Sequence, residues 1–377
     1  MSPTIPPLSR RAALSALSLA TLAAMALPTH AAGAAQTELV ARGLENPWAV
    51  AFLGDGRFIV TERPGRMRVV QADGRVGPAL AGLPPVQAGG QGGLLDVITD
   101  RDFPRNRRVH WCYSEPGEGG NSTALATGTL SADATALQDV KVVFSQRPKV
   151  QSRHHFGCRI VQTDDGGFFL TLGDRYHRMA DAQTLDNHHG KVVRLKADGS
   201  AHPRNPHVGQ TGALPEIYSI GHRNPQGAAL GPDGRLWVVE HGPQGGDELN
   251  RPDPGANHGW PVVTFGENYG GGRIGEGLTS KPGMVAPLWQ WTPSMAPSGM
   301  AWVRSERYPG WKGSLLVGSL KFRYVARLQV DGARVVKEEK LLPDVGRVRD
   351  VREGPDGWIY LLTDERDGRL LRVKPGA

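Results

Sequence analysis

Asp356-Gly357-Trp358-Ile359-Tyr360-Leu361, followed by Gly368-Arg369-Leu370-Leu371-Arg372-Val373, is the pattern on which the fold turns. A tight turn opens it, an apolar strand follows, and a short connection leads to a second strand. The same order recurs at Asp55-Gly56-Arg57-Phe58-Ile59-Val60 with Gly65-Arg66-Met67-Arg68-Val69-Val70. It recurs again at Asp165-Gly166-Gly167-Phe168-Phe169-Leu170 with Gly190-Lys191-Val192-Val193-Arg194-Leu195, after an insertion. Asp233-Gly234-Arg235-Leu236-Trp237-Val238 opens another unit, and Lys312-Gly313-Ser314-Leu315-Leu316-Val317 leads to Tyr324-Val325-Ala326-Arg327-Leu328. Asp-Gly suits hairpin turns that need positive φ. Apolar alternation on either side predicts strands buried on at least one face. A small sheet of this kind cannot bury its faces alone, and radial packing of repeated sheets solves that problem with few exposed edges. The fold class expected is all-β, a β-propeller, with two packed sandwiches as the other arrangement.

Composition agrees. The 377 residues include 50 Gly and 29 Pro, which favours many short strands and turns over long amphipathic helices. The first segment stands apart. Arg10-Arg11 precede an apolar stretch from Ala12 to Leu27, and Thr29-His30-Ala31 resembles a small-residue cleavage site. This reads as a secretory leader within residues 1–35, too short and Ala-rich for a membrane span, leaving residues 36–377 as a single propeller domain. Sec export fits at least as well as twin-arginine export, because the residues after the arginine pair suit the latter poorly. A periplasmic or secreted protein is expected. Losing the leader removes two positive charges and no acids, taking the net charge from +7 to +5. Basic and acidic residues are interleaved, which argues against a nucleic-acid surface. Cys112 and Cys158 could pair in an oxidising compartment; two buried thiols are the preferred reading.

Several residues could carry chemistry. Ile220-Gly221-His222-Arg223-Asn224-Pro225-Gln226-Gly227 sets an arginine beside an asparagine. About twenty residues on, His241-Gly242-Pro243-Gln244-Gly245-Gly246-Asp247-Glu248 offers turn carbonyls and two carboxylates, oxygen donors that suit calcium. His155 precedes a strand and could act as a general base, with Asp174 at the end of the next strand to orient it. A lone histidine in such a place is more often simply hydrogen-bonded. Arg347 and Arg349 flank Val348 and share a face if the segment is extended, and Lys321 follows a strand. Arginine forks bind carboxylates, although a solvated cationic stripe is the plainer explanation. Gln91 sits in a glycine-rich turn, Gly89 to Gly93. No phosphate loop, zinc-spaced cluster or Gly-x-Ser-x-Gly elbow is present. The polar stretch from Arg175 to His189 and the glycine-rich one from Tyr269 to Lys281 read as loops that could build a site.

Taken in order, Asn46-Pro47-Trp48-Ala49, Gly90-Gln91-Gly92-Gly93-Leu94-Leu95-Asp96-Val97, His155-Phe156-Gly157 with Arg159 and Gly221 to Gly227 form a specific series. Gly242-Pro243 with Asp247-Glu248, Gly259-Trp260-Pro261, Ser319-Leu320-Lys321 and Arg347-Val348-Arg349-Asp350-Val351 complete it. In these motifs the chain resembles the soluble quinoprotein glucose/aldose sugar dehydrogenases across almost all of residues 36–377. The resemblance implies a six-bladed propeller that binds pyrroloquinoline quinone (PQQ) and calcium, and oxidises an aldose at its anomeric carbon to the lactone. It implies that His155 removes the hydroxyl proton while hydride passes to the quinone, with Asp174 orienting the imidazole. Gln91, Arg223 and Asn224 would line the cofactor and substrate pocket. Lys321, Arg347 and Arg349 would hold the cofactor carboxylates, with Tyr269 in contact. Carbonyls of Gly242 and Pro243 would ligate a calcium acting as a Lewis acid, and Glu248 with the backbone near His258 would match a second calcium site. The chain departs from the family pattern at His258, where tyrosine is usual, and at Cys158, which replaces a small residue. An aldose and an electron acceptor of unspecified kind are the expected partners. A calcium-dependent lactonase and a non-catalytic sugar-binding propeller are the other readings; the first leaves the three cations without a clear purpose, and the second makes His155 and Asp174 structural.

Overall fold

The computed structural model describes Met1, Pro3 and residues 34–376; the expected leader lies almost wholly outside the described residues. Residues 34–376 form six four-stranded antiparallel sheets, five of them simple meanders. The first strands of the sheets are Pro47–Phe52, Leu94–Thr99, Gly157–Gln162, Pro225–Leu230, Pro297–Trp302 and Val348–Glu353. Each packs on the next, and Val348–Glu353 packs on Pro47–Phe52, closing a ring: a six-bladed β-propeller. The blades are numbered here in that order. The sixth is completed by Gln36–Leu44, which pairs antiparallel with Gly368–Lys374 from Gln36 opposite Lys374 to Leu44 opposite Gly368. The start and end of the propeller are thus held in one sheet.

The repeated motif maps onto the second and third strands of four blades and the second strand of a fifth, blade 4. Phe58–Glu62, Phe168–Leu172, Leu236–Glu240, Leu315–Ser319 and Ile359–Thr363 are second strands in which every residue is buried. Both faces of these strands meet neighbouring blades, so they are apolar runs with little alternation. Blade 2 escaped the motif because no glycine turn precedes its second strand. There a short helix, Phe103–Asn106, ends at Arg107 in a left-handed conformation (φ 51°) and feeds Arg108–Gly117.

The inner strands also carry charge. Arg159 Nη1 donates to Asp96 at 2.9 Å and Asp350 at 3.0 Å, and Arg352 pairs with both carboxylates. Two cations and two carboxylates close into a neutral buried knot joining blades 2, 3 and 6, with Arg159 lying 4.4 Å over the Trp48 ring of blade 1. Gly299 on blade 5 admits this knot: a Cβ there would lie 2.2 Å from Asp350 Oδ1.

One expectation is corrected. Cys112 and Cys158 are a disulfide rather than two thiols, with Cα atoms 5.8 Å apart. Cys112 is on the second strand of blade 2 and Cys158 on the first strand of blade 3, a proximity visible only once the blades are assembled. Both are fully buried in the core, so Cys158 does not narrow a pocket. The bridge spans 46 residues, for which the loop-entropy model gives about 4 kcal/mol. Replacing both cysteines with alanine should lower the urea midpoint by a corresponding amount; an unchanged midpoint would show that the bridge adds nothing.

Candidate active site

Antiparallel meanders place the start of each first strand and the end of each second strand on the same face. Predicted residues, together with His241 and Asp364, occupy those positions. Gln91, His155, Asn224 and Arg347 stand at or just before first strands, while Asp174, His241, Lys321 and Asp364 follow second strands.

His155 and Asp174 meet. His155 Nδ1 lies 2.6 Å from Asp174 Oδ1, and the imidazole is nearly buried. Asp174 is fully buried; it also accepts from the Tyr176 amide at 2.7 Å and from Trp260 Nε1 at 2.7 Å. Burial opposes its charge, but the His155 bond and the Arg223 guanidinium outweigh burial and hold the carboxyl below its usual range. For His155, burial dominates the pull of Asp174, and Arg223 adds to it, so the imidazole lies below its ordinary 6.5. At neutral pH it is uncharged. With Nδ1–H directed at Asp174, Nε2 is the basic nitrogen, and it has no hydrogen-bond partner among the described residues.

Gln91 Oε1 accepts the His155 amide at 2.8 Å and lies 3.5 Å from Asn224 Nδ2. Asn224 Oδ1 accepts from the Gly157 amide. These three predicted residues form one cluster around the base.

Beside it is a cavity of about 360 Å³ whose walls include Gln91, Lys321, Arg347 and Arg349. Sequence reasoning missed four of its other members: Arg63, Gln226, His241 and Asp364. Their signal was position alone, since Arg63, His241 and Asp364 end second strands in the repeat. Arg349 is buried, donating to Gln226 Oε1 at 2.7 Å and Asp364 at 2.9 Å, and its Nε is buried without a partner. The Arg347 side chain is exposed and, among the described residues, makes only a 3.2 Å bond to the Leu320 carbonyl and a 4.0 Å approach to Asp364. Lys321 Nζ has no hydrogen bond or ion pair among the described residues and lies 5.2 Å from the Phe322 ring. Four cations therefore face one carboxylate, an arrangement that favours an anionic occupant. Burial first, then the Arg349 charge, pushes His241 down to about 3, so it adds no positive charge near neutrality. The cavity at the opposite mouth of the propeller, lined by Thr99, Gln162, Leu230 and Trp302, contains no histidine.

Arg223 is buried over the Trp260 ring, with the exposed Tyr269 ring 6.0 Å away. Its Nη1 donates to the Gly242 carbonyl at 2.6 Å. Gly242 and Pro243 alone do not make a calcium cage. One carbonyl already faces a guanidinium, and the nearby Asp247 carboxylate is taken by the Gly242 amide, Ser294 Oγ and the Ala296 amide. Among the described residues no group of three or more His, Cys, Asp or Glu side chains could hold a metal.

Glu248 suits a cation better. It is buried, bonded to Asn250 Nδ2 at 3.0 Å, and has no cationic partner among the described residues. Burial, then the Glu240 charge, raises it to about 8. Asn250 Oδ1 is buried and unpartnered. The His258 ring stacks on His222 at 4.8 Å, and both its nitrogens are buried without partners, so that side chain offers no oxygen. A carboxyl raised in the fold binds more protons than in the unfolded chain. Metal-free protein should therefore lose stability as pH rises from 4.5 to about 8. Glu248→Gln should flatten that loss, and calcium should raise the melting temperature of wild type but not of the variant. An equal calcium effect on both would remove Glu248 as a ligand.

A family model described as Glucose / Sorbosone dehydrogenase matches residues 44–372. Aldose sugar dehydrogenase YliI of Escherichia coli (strain K12) is 44% identical over 343 residues, covering 90% of this chain and 92% of that protein. A crystal structure of glucose dehydrogenase superposes with a TM-score of 0.86 at 47% identity, covering 89% of this chain and 99% of that one. The PQQ-bound form of aldose sugar dehydrogenase from Streptomyces coelicolor superposes at 0.76 with 26% identity, covering 91% and 98%.

Proposed function

The chain belongs to the glucose/sorbosone dehydrogenase family, and from that premise we propose that it is a PQQ-dependent oxidoreductase that converts aldoses to lactones at the anomeric carbon. The observation that carries this reading is the uncharged, carboxylate-oriented His155 beside a cavity with four cations and one carboxylate.

PQQ, when bound, supplies an acceptor for two electrons and the anomeric hydrogen. Lys321 and Arg347 have free donors for its carboxylates, and the unpartnered Nε of Arg349 supplies another. His155 Nε2 takes the proton of the anomeric hydroxyl. Asp174 holds the ring in the tautomer that leaves Nε2 basic and stabilises the cation as it forms. Gln91 and Asn224 hold the His155 backbone and the start of blade 3 in place. The C1–O bond becomes a carbonyl as the O–H proton and C1–H hydride leave. Calcium is assigned a stabilising role at Glu248. At Gly242 and Pro243 it would need oxygens from the cofactor. Residues 1–35 are proposed as the export leader. No helix among the described residues is long and apolar enough to cross a membrane.

The test is dye reduction by the purified mature protein with calcium, with and without PQQ, across a panel of aldoses. Reduction that requires PQQ supports the proposal. Lactone hydrolysis without PQQ, or sugar binding without turnover, would replace it.

A further inference from the structure

A cavity of about 640 Å³ lies between blades 4 and 5, with Trp289, Trp291, Met295, Phe322, Tyr324 and Lys340 in its walls. The two tryptophans come from Trp289–Trp291, the outermost strand of blade 4, and Lys340 from Arg334–Leu341, the outermost strand of blade 5. It has no lining residue in common with the cation-lined cavity, yet the two share a partition. Met295 and Phe322 line this cleft, while their chain neighbours Ala296 and Lys321 line the other. The two segments are joined: the Lys321 amide donates to the Met295 carbonyl at 3.2 Å, and the Leu320 amide to the Ala296 carbonyl at 3.1 Å. Lys321 Nζ itself lies 5.2 Å from the Phe322 ring.

The cleft is aromatic, and its walls are fixed. Trp289 and Trp291 both donate their indole N–H to Glu338 Oε2 at 3.1 Å, which ties the two rings across the blade boundary. Glu338 is the one carboxylate of the lining among the described residues, and those two bonds engage it. The Phe322 and Tyr324 rings lie 6.3 Å apart and within 4° of parallel, and Phe322 is 41% exposed. The Tyr324 hydroxyl is directed at Met295 Sδ at 3.8 Å, and Gln290 Oε1 accepts from Thr292 Oγ1 at 2.9 Å. Lys340 Nζ is different. It lies 5.4 Å from the Tyr324 ring and has no hydrogen bond or ion pair among the described residues. Four rings with one free cationic donor suit a flat apolar ring that carries acceptor oxygens. A sugar would find too few free partners here for its hydroxyls.

We propose that this cleft binds the electron acceptor, and that the acceptor is a small quinone lying against the aromatic walls with a carbonyl oxygen at Lys340. The inference rests on the PQQ-dependent oxidoreductase reading, since electrons must arrive from the cavity behind the Met295–Phe322 partition. The overall reaction balances. Oxidation of an aldose to its lactone releases two electrons and two protons, and the two carbonyl oxygens of the quinone take up the same number as it becomes the quinol. Trp289 and Lys340 are then acceptor-binding residues and take no part in sugar oxidation.

The probe is ubiquinone-1. It is titrated calorimetrically into the PQQ-loaded protein without sugar, so that the cofactor cavity is already filled, and it then replaces the dye in assays with glucose. Trp289→Leu removes one ring and leaves Trp291 on Glu338. It should weaken ubiquinone-1 binding and raise the KM for ubiquinone-1 about 3- to 10-fold, while the KM for glucose, measured with dye, stays the same. Should that variant fail to fold, Lys340→Gln at an exposed position provides the same comparison. Equal ubiquinone-1 affinity in wild type and the folded variant, or no ubiquinone-1 binding by a wild type that reduces dye, would overturn the proposal. If wild type reduces neither dye nor ubiquinone-1, the oxidoreductase reading fails, and the titration of wild type against Trp289→Leu still decides whether the cleft takes a quinone.

Discussion

Replacing His155 with alanine is expected to lower PQQ-dependent aldose oxidation by about 10²–10⁴-fold, the range for losing a positioned acid–base group. Bound PQQ should be retained, because the cavity's anion donors are Lys321, Arg347 and Arg349. The pH profile carries separate information. Burial and Arg223 keep the imidazole below 6.5, so wild-type activity should persist into mildly acidic solution and fall only as His155 takes up a proton. Asp174→Asn should reduce kcat with little change in KM, since the amide cannot stabilise the imidazolium and can hold the ring in either tautomer. Unchanged turnover in His155→Ala, with cofactor bound, would remove His155 from the mechanism.

Arg347→Ala is expected to weaken PQQ binding by about 10- to 150-fold, the equivalent of one hydrogen bond to a charged group. The three predicted cations are not equivalent. Arg349 is committed to Asp364 and Gln226, and removing it would leave the nearly buried Asp364 without its nearest cation and facing an anion. Arg347 and Lys321 are exposed and nearly free of partners, so their substitution tests anion binding with little structural cost. Fluorescence titration with PQQ measures the effect, and affinity should fall as salt is raised. Equal affinity in wild type and Arg347→Ala would count against the assignment.

What the sequence could and could not reveal divides along one line. The turn-and-strand repeat identified middle strands of five blades, and it set His155, Asp174 and Lys321 at strand ends. Blade 2 was hidden because Arg107 takes the left-handed turn position that glycine takes elsewhere. Pairings between blades were not readable from local pattern. The Cys112–Cys158 bridge, the Arg159–Asp96–Asp350–Arg352 knot and the Arg349–Asp364 pair all depend on which blades meet. Arg63 and His241 were overlooked because their types are common and their position alone is informative. Gly242 and Pro243 were read as free oxygen donors, whereas Arg223 reaches the Gly242 carbonyl at the shared end of the first two strands of blade 4.

The central claim is that aldose electrons pass to PQQ held in the cation-lined cavity beside His155. Mixing the PQQ-loaded protein with excess aldose in the absence of dye, while recording the absorption of the bound quinone, tests it most directly. A rapid change to the reduced spectrum in wild type, slowed at least ~100-fold in His155→Ala, is the predicted result. A bound quinone whose spectrum stays unchanged across the aldose panel would contradict the account.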